Sequence, residues 1–188
     1  MFPAYVEHPQ NCSFEGQDPD EKILLLLRAH PITNLPWILL SVVLFFIPFL
    51  VAKLSPSLGF NLNLVPETVL IAALIIDYLL VLVIVFEGFL YWYFNVTLIT
   101  DQKVVDIDFE PVLYKSVDLA PLDKIEEADS TIAGIFGILF HFGNVAIQTA
   151  GAKVAIEMKN IPRPALVADL ILDLAKKPHT HIGPGPGM

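Results

Sequence analysis

The sequence predicts a membrane α-hairpin of two transmembrane helices, followed by a mainly-β barrel capped by one C-terminal helix. Three observations predict it. The 188 residues are 55% hydrophobic and 16% charged, against about 25% charged in an ordinary soluble domain. Two long, nearly charge-free runs lie between residues 35 and 94. Beyond residue 94 the texture changes to short alternating segments divided by turn residues, and then to one amphipathic stretch.

The first run, LPWILLSVVLFFIPFLVA from Leu35 to Ala52, is eighteen residues without a charge. A spanning helix needs roughly 17–25 predominantly apolar residues. Trp37 at one end suits an interface, and Lys53 at the other can snorkel. Pro48 is tolerable in a span, where neighbouring groups satisfy the freed carbonyl. The run begins too far from Met1, and is too long, for a cleaved signal peptide. The second run, VLIAALIIDYLLVLVIVF from Val69 to Phe86, is interrupted only by Asp77 and continues through EGFLYWYF. Tyr91, Trp92 and Tyr93 then read as an interfacial aromatic belt. Spans are therefore expected at about 35–53 and 68–92, within a hairpin covering 35–94. The linker KLSPSLGFNLNLVPET carries the Pro, Gly and Asn of a short turn. Two spans leave both termini on one side. Lys22, Arg28 and Lys103 flank that side against Lys53 in the loop, which predicts a multi-pass plasma-membrane protein with cytoplasmic termini. Residues 1–34 become a cytoplasmic lead-in.

Residues 95–177 read as the β domain. NVTLIT, the turn Asp101-Gln102 and KVVDIDF make a hairpin, and strands are expected at Tyr114–Leu119 and Lys124–Asp129. The stretch TIAGIFGILFHFG is too short to span and reads as a loop or short helix. NVAIQTA, a turn at Gly151-Ala152 and KVAIEMKN form a second hairpin. PRPALVADLILDLAKK then starts with proline, ends with lysines and repeats apolar residues at 166, 167, 170, 171 and 174, a helix of three to four turns. Residues 178–188 form a Gly/Pro-rich tail expected to be disordered. Six or seven short antiparallel strands closed by one helix describe a pleckstrin-homology-like (PH-like) barrel.

Several segments together resemble the bacterial YdbS-like PH membrane proteins. WYFNVTLITDQKVVDID carries the family's Thr-Asp-x-Arg/Lys pattern at Thr100, Asp101 and Lys103. LDKIEEAD matches its Ile-Pro-Leu-x-x-Ile strand over Leu122–Ile125, and FGNVAIQTAG its glycine-bounded strand over Gly143–Gly151. NIPRPALVADLI matches the start of its helix, and DEKILLLLRAHPITNLPW its lead-in. Lys103 stands where arginine is common, and Ile161-Pro162 where Asn-Pro is common. The resemblance covers roughly residues 20–176 and implies a fold rather than an activity.

Charge and motifs limit the functions. The formal charge of −9 divides into −3 over residues 1–34, −2 over 35–94 and −4 over 95–188. No segment is basic, so nucleic acid is not an expected partner. The turn TDQK offers one lysine beside acids, so no phosphoinositide is expected either. Cys12 is the only cysteine, and His8, His30, His141, His179 and His181 show no metal-ligand spacing. No nucleophile elbow, P-loop or dinucleotide fingerprint occurs. No metal, cofactor or enzymatic activity is expected.

Two features remain as candidate sites. Asp77 lies at mid-span, where a carboxyl is costly; it is expected to bond the Leu44 carbonyl that Pro48 releases, or its copy in a second protomer. Glu87 is expected to be solvated at the head groups. The apolar patch Ile135, Phe136, Ile138, Leu139, Phe140 and Phe142 either packs into the barrel end or forms an interaction surface. The expected partners are thus the bilayer and either another protein or a homo-oligomer. The function is a membrane-tethered scaffold, with a lipid-contacting envelope-stress or membrane-organising factor as the alternative, and a transporter accessory subunit behind it.

Overall fold

The computed structural model describes residues 3–10, 12–59, 61–110, 114–150 and 156–176. The turn at Gly151-Ala152, the tail and its two histidines lie outside the described residues. The chain divides into two compact units, Pro31–Trp92 and Met1–His30 with Tyr93–Met188.

The first unit contains two helices long and apolar enough to cross a membrane. A 3-10 turn at Pro31–Asn34 leads into α1, Leu35–Leu54. Pro36 sits in its first turn, where a missing N–H costs nothing, and the helix runs through Pro48. The second helix, α2, is Glu67–Phe94; Glu67 at its start faces the positive end of the helix dipole. Both elements extend the expected spans by only one or two residues. Leu39, Phe46, Ile76, Leu82 and most of their apolar neighbours are exposed on both helices, a surface suited to hydrocarbon rather than water.

The two helices meet through an aromatic ring and a missing side chain. The Trp37 ring lies so close to Gly88 that a Cβ there would stand 2.7 Å from Trp37 Cδ2. Trp37 Nε1 donates to Asn34 Oδ1 at 3.1 Å, and the buried Ser41 hydroxyl donates to the Trp37 carbonyl at 2.8 Å. Farther along, Phe45 and Tyr78 rings pack with centroids 5.4 Å apart. Small-residue contacts of this type let helices approach when lipid supplies no hydrophobic drive. Trp37, expected as an interface anchor, is thus a packing residue of the hairpin.

The second unit is built on antiparallel strands. Its five-stranded sheet runs in the order β1 (Tyr5–Glu7), β2 (Ile23–Leu27), β3 (Val96–Thr100), β4 (Lys103–Glu110) and β5 (Tyr114–Pro121). A 3-10 turn, Leu122–Lys124, leads to a three-stranded sheet of β6 (Ile125–Thr131), β7 (Phe142–Thr149) and β8 (Ile156–Pro162). The six strands after the helices lie where alternation predicts them. The two before the helices are a finding: the lead-in joins the sheet, with Leu27 opposite Thr97 and Leu25 opposite Ile99.

β2 reads ILLLL without alternation because both of its faces are covered. Leu25 and Leu27 enter the main core with Ile99, Val104, Val145, Ile147 and Met158. Ile23 and Leu26 enter a smaller core with Leu98 and Val105, against which Phe14 and Val6 pack. Between β6 and β7 lies a short helix, α3, Gly134–Phe140. The last helix, α4 (Pro164–Lys176), buries Val167, Ala168, Ile171 and Leu174 against the main core. Leu166, counted on its apolar face, is exposed instead.

Replacing Gly88 by alanine forces Trp37 off the α2 backbone. The expected cost is about 1–3 kcal/mol of hairpin stability, typical of overpacking. In a Trp92→Phe background the Trp37 emission should shift and the detergent-solubilised protein should unfold at lower temperature.

Candidate functional site

The apolar patch begins with α3. Ile132 through Phe142 contains no Asp, Glu, Lys or Arg, so this segment has no charged side chain to solvate. It folds into two turns because Gly137 lets the helix lie directly on β7: a Cβ there would be 3.0 Å from the Phe142 carbonyl oxygen. His141 ends the helix with φ 54° and donates its N–H to the Gly137 carbonyl, the left-handed cap that usually falls to glycine. The consequence is an outward-facing set: Ile135 is 82% exposed, Ile138 68%, Leu139 65% and Phe136 61%. Phe140 is 41% exposed. Phe142 leaves the expected patch altogether. It is the first residue of β7 and 9% exposed, because the strand turns its ring inward.

His30 anchors this segment. Its imidazole stacks on Phe142 with centroids 5.3 Å apart and lies tilted against Phe140 at 6.1 Å. Its backbone N–H donates to the Asn160 carbonyl at 2.7 Å. Burial lowers the His30 pKa and so favours the neutral ring. Two residues earlier, Arg28 Nε donates to the Tyr93 carbonyl at 3.2 Å, and its guanidinium lies 5.2 Å from the Tyr93 ring centroid. A cation on a last-turn carbonyl satisfies an orphan acceptor and the negative end of a helix dipole together. Tyr93 is therefore held by Arg28, and Trp92 is half-buried while Tyr91 is exposed.

The TDQK turn is a structural clamp. Glu21, 4% exposed, accepts from the Thr100 hydroxyl at 2.6 Å and pairs with Lys103 Nζ at 3.0 Å. Lys103 Nζ also reaches the Gly16 carbonyl at 3.0 Å and Asp18 at 3.4 Å, over the Phe14 ring. The Thr100 hydroxyl accepts from the N–H groups of Gln102 and Lys103, while Asp101 accepts from the Lys22 N–H at 3.0 Å. Burial pulls the Lys103 pKa down, but the hydrogen bonds and charges of Glu21 and Asp18 outweigh it and raise the ammonium above its usual value. The Thr-Asp-x-Lys pattern is visible in the sequence. Glu21, its buried partner 79 residues away, is not.

Asp106 is the second buried acid. It faces Thr97 on β3 and Asp118 on β5, and accepts from the Thr97 hydroxyl at 2.6 Å. Burial raises its pKa from 3.8 to about 6, with Asp108 and Asp118 adding to the rise while Thr97 and Lys159 oppose it. Period-two patterning gives no sign of it, since the strand KVVDIDF alternates as if Asp106 faced solvent.

In the hairpin unit, Asp77 Oδ2 is buried and finds no hydrogen-bond partner among the described residues. The expected bond to the Leu44 carbonyl is not among its contacts. Glu87 is exposed. Among the described residues no three His, Cys, Asp or Glu side chains gather as a metal site. No family model, curated protein or solved structure matches the chain.

Glu21→Ala leaves Lys103 with only the exposed Asp18 as a charge partner, and the expected loss is about 3–5 kcal/mol in chemical unfolding. Glu21→Gln, which keeps an acceptor for Thr100, should lose less. Asp106 acts in the opposite sense. Its folded pKa lies above the unfolded one, so its contribution is full below pH 4 and is lost as pH rises toward 6. Asp106→Asn should therefore gain up to about 3 kcal/mol at pH 7 and remove that part of the pH slope. The difference between variant and wild-type unfolding curves from pH 4 to 7 checks this, free of the His30 contribution common to both.

Proposed function

We propose that the chain is an integral plasma-membrane protein whose β unit is a PH-like, YdbS-like barrel acting as a tethered scaffold. It works by contact, without catalytic chemistry or a cofactor, and both termini face the cytoplasm. The reading rests on one observation: the β unit leaves pairs or clusters of apolar side chains exposed on β5 and on α3. β5 is the edge strand of the five-stranded sheet, with Val117 and Leu119 exposed. An edge strand presents unpaired N–H and C=O groups, so a second strand can add to it and bury such side chains. The occupant proposed for this edge is another protein strand, including one from a second copy.

Antiparallel strands with a terminal helix on the main core support the PH-like reading, and closure of the two sheets into one barrel is part of the proposal. The long exposed apolar faces of α1 and α2 support the bilayer as permanent partner. Self-association is tested by light scattering of the full chain in lipid nanodiscs and detergent. Val117→Lys with Leu119→Lys should convert an oligomer to a monomer. A wild-type protein that is monomeric throughout the micromolar range, and captures no strand peptide, would overturn the scaffold reading.

Cys12, exposed and the single thiol, reports the orientation without any substitution. A membrane-impermeant maleimide should leave intact cells unlabelled and react after permeabilisation. Labelling of intact cells reverses the orientation.

A further inference from the structure

We infer that α3 is a membrane wedge: Ile135, Phe136, Ile138 and Leu139 insert into the acyl region of the leaflet from which the hairpin departs. The inference deepens the tethered reading above and rests on α1 and α2 being spans. It assigns α3 to lipid and leaves the β5 edge to protein.

Two observations favour lipid over a protein partner. The first is chain continuity. Phe140 and Phe142 contact His30, and α1 begins at Leu35. Five residues extend at most about 17 Å, so chain length alone keeps His30 within that reach of Leu35. Tyr93, which the chain reaches as α2 ends, is held by Arg28.

The second is the shape of the apolar surface. At 100° per residue the four exposed side chains, with Phe140, cover more than half of the circumference of α3, and Gly137 lies on the remaining face, against the Phe142 carbonyl of β7. A protein interface has an apolar centre with a polar rim and hydrogen bonds. The segment from Ile132 to Phe142 has no charged residue to make such a rim. Hydrocarbon asks for neither a rim nor a complementary shape.

Charge adds a consequence. No sequence segment of the unit bearing α3 is net basic, and Glu126, Glu127 and Asp129 on β6 are exposed. Insertion therefore depends on apolar contact, and it should gain nothing from anionic lipid and lose nothing in salt.

The full chain, with Cys12→Ser, is reconstituted in phosphatidylcholine vesicles and spin-labelled at Ile135→Cys, Ile138→Cys or Leu139→Cys, with Glu127→Cys as the aqueous reference. The expected result is high collision with oxygen and low collision with a nickel chelate at the three α3 positions, the reverse at 127, with no gain from phosphatidylglycerol and no loss in 0.5 M salt. Nickel access at α3 equal to that at 127 overturns the inference and leaves the scaffold reading in place. Protection from both oxygen and nickel also overturns it, because it places α3 against protein. A monomer that captures no strand peptide, together with lipid-inserted α3, would overturn the scaffold while keeping the wedge. Ile135→Ser with Leu139→Ser, neither of which packs in the core, should restore nickel access at 138 by several-fold; unchanged access would show that apolar contact does not hold α3 in place.

Discussion

The pairing of β2 with β3 is the constraint on which the rest of the structure depends. These strands are neighbours in one sheet, yet the whole hairpin lies between them in sequence. Neighbouring strands stand about 4.8 Å apart, so the chain must leave the β unit and come back to almost the same point. One long helix could not do that. Two antiparallel helices can, and their number follows from the sheet as much as from hydropathy. The same pairing keeps the N-terminal segment and the C-terminal domain together as one folding unit, with a long insertion whose closure entropy the β2–β3 and core contacts must offset.

Polar side chains are concentrated where that return occurs. Arg28 follows β2 and caps the carbonyl of Tyr93, just before β3 starts. At the other end of the same two strands, Glu21, Thr100 and Lys103 lock the β3–β4 turn to the loop ahead of β2. Buried ion pairs are poor sources of net stability but costly to break. Placed at a register-defining turn, this one excludes slipped pairings of an all-apolar strand that alternation alone could not align. Asp106 and Asp77 are different in kind. One is buried with a hydroxyl partner and neighbouring acids, and the other has an enclosed oxygen without a partner.

Elements whose side-chain period matches their surroundings were legible in the sequence. β3, β4 and β7 alternate because one face meets the core, and α4 repeats at helical spacing because one stripe does. The hairpin helices were legible through length and uniform apolarity. β2 was not, since a strand covered on both faces shows a bare apolar run like that of many other structures. The α3 segment was legible as a short apolar piece. Which of its residues turn outward depended on Gly137 and on His30, residues that patterning does not weigh. The burial of Glu21 and Asp106 was not legible, because a sequence carries no record of what stands across from a residue in the fold.

The sequence by itself determined two long apolar helices joined by a short loop, a later set of antiparallel strands and an amphipathic C-terminal helix. These are local properties: period, length, turn residues and the absence of charge. Only the tertiary structure decided that the lead-in is part of the sheet, that Phe142 and Leu166 exchange the inside and outside roles their patterns suggest, and that Trp37 seats on Gly88. It also decided which acids are buried. Each of these depends on contacts between residues far apart in the chain, and long-range contact is a property of the packed whole rather than of any window of sequence.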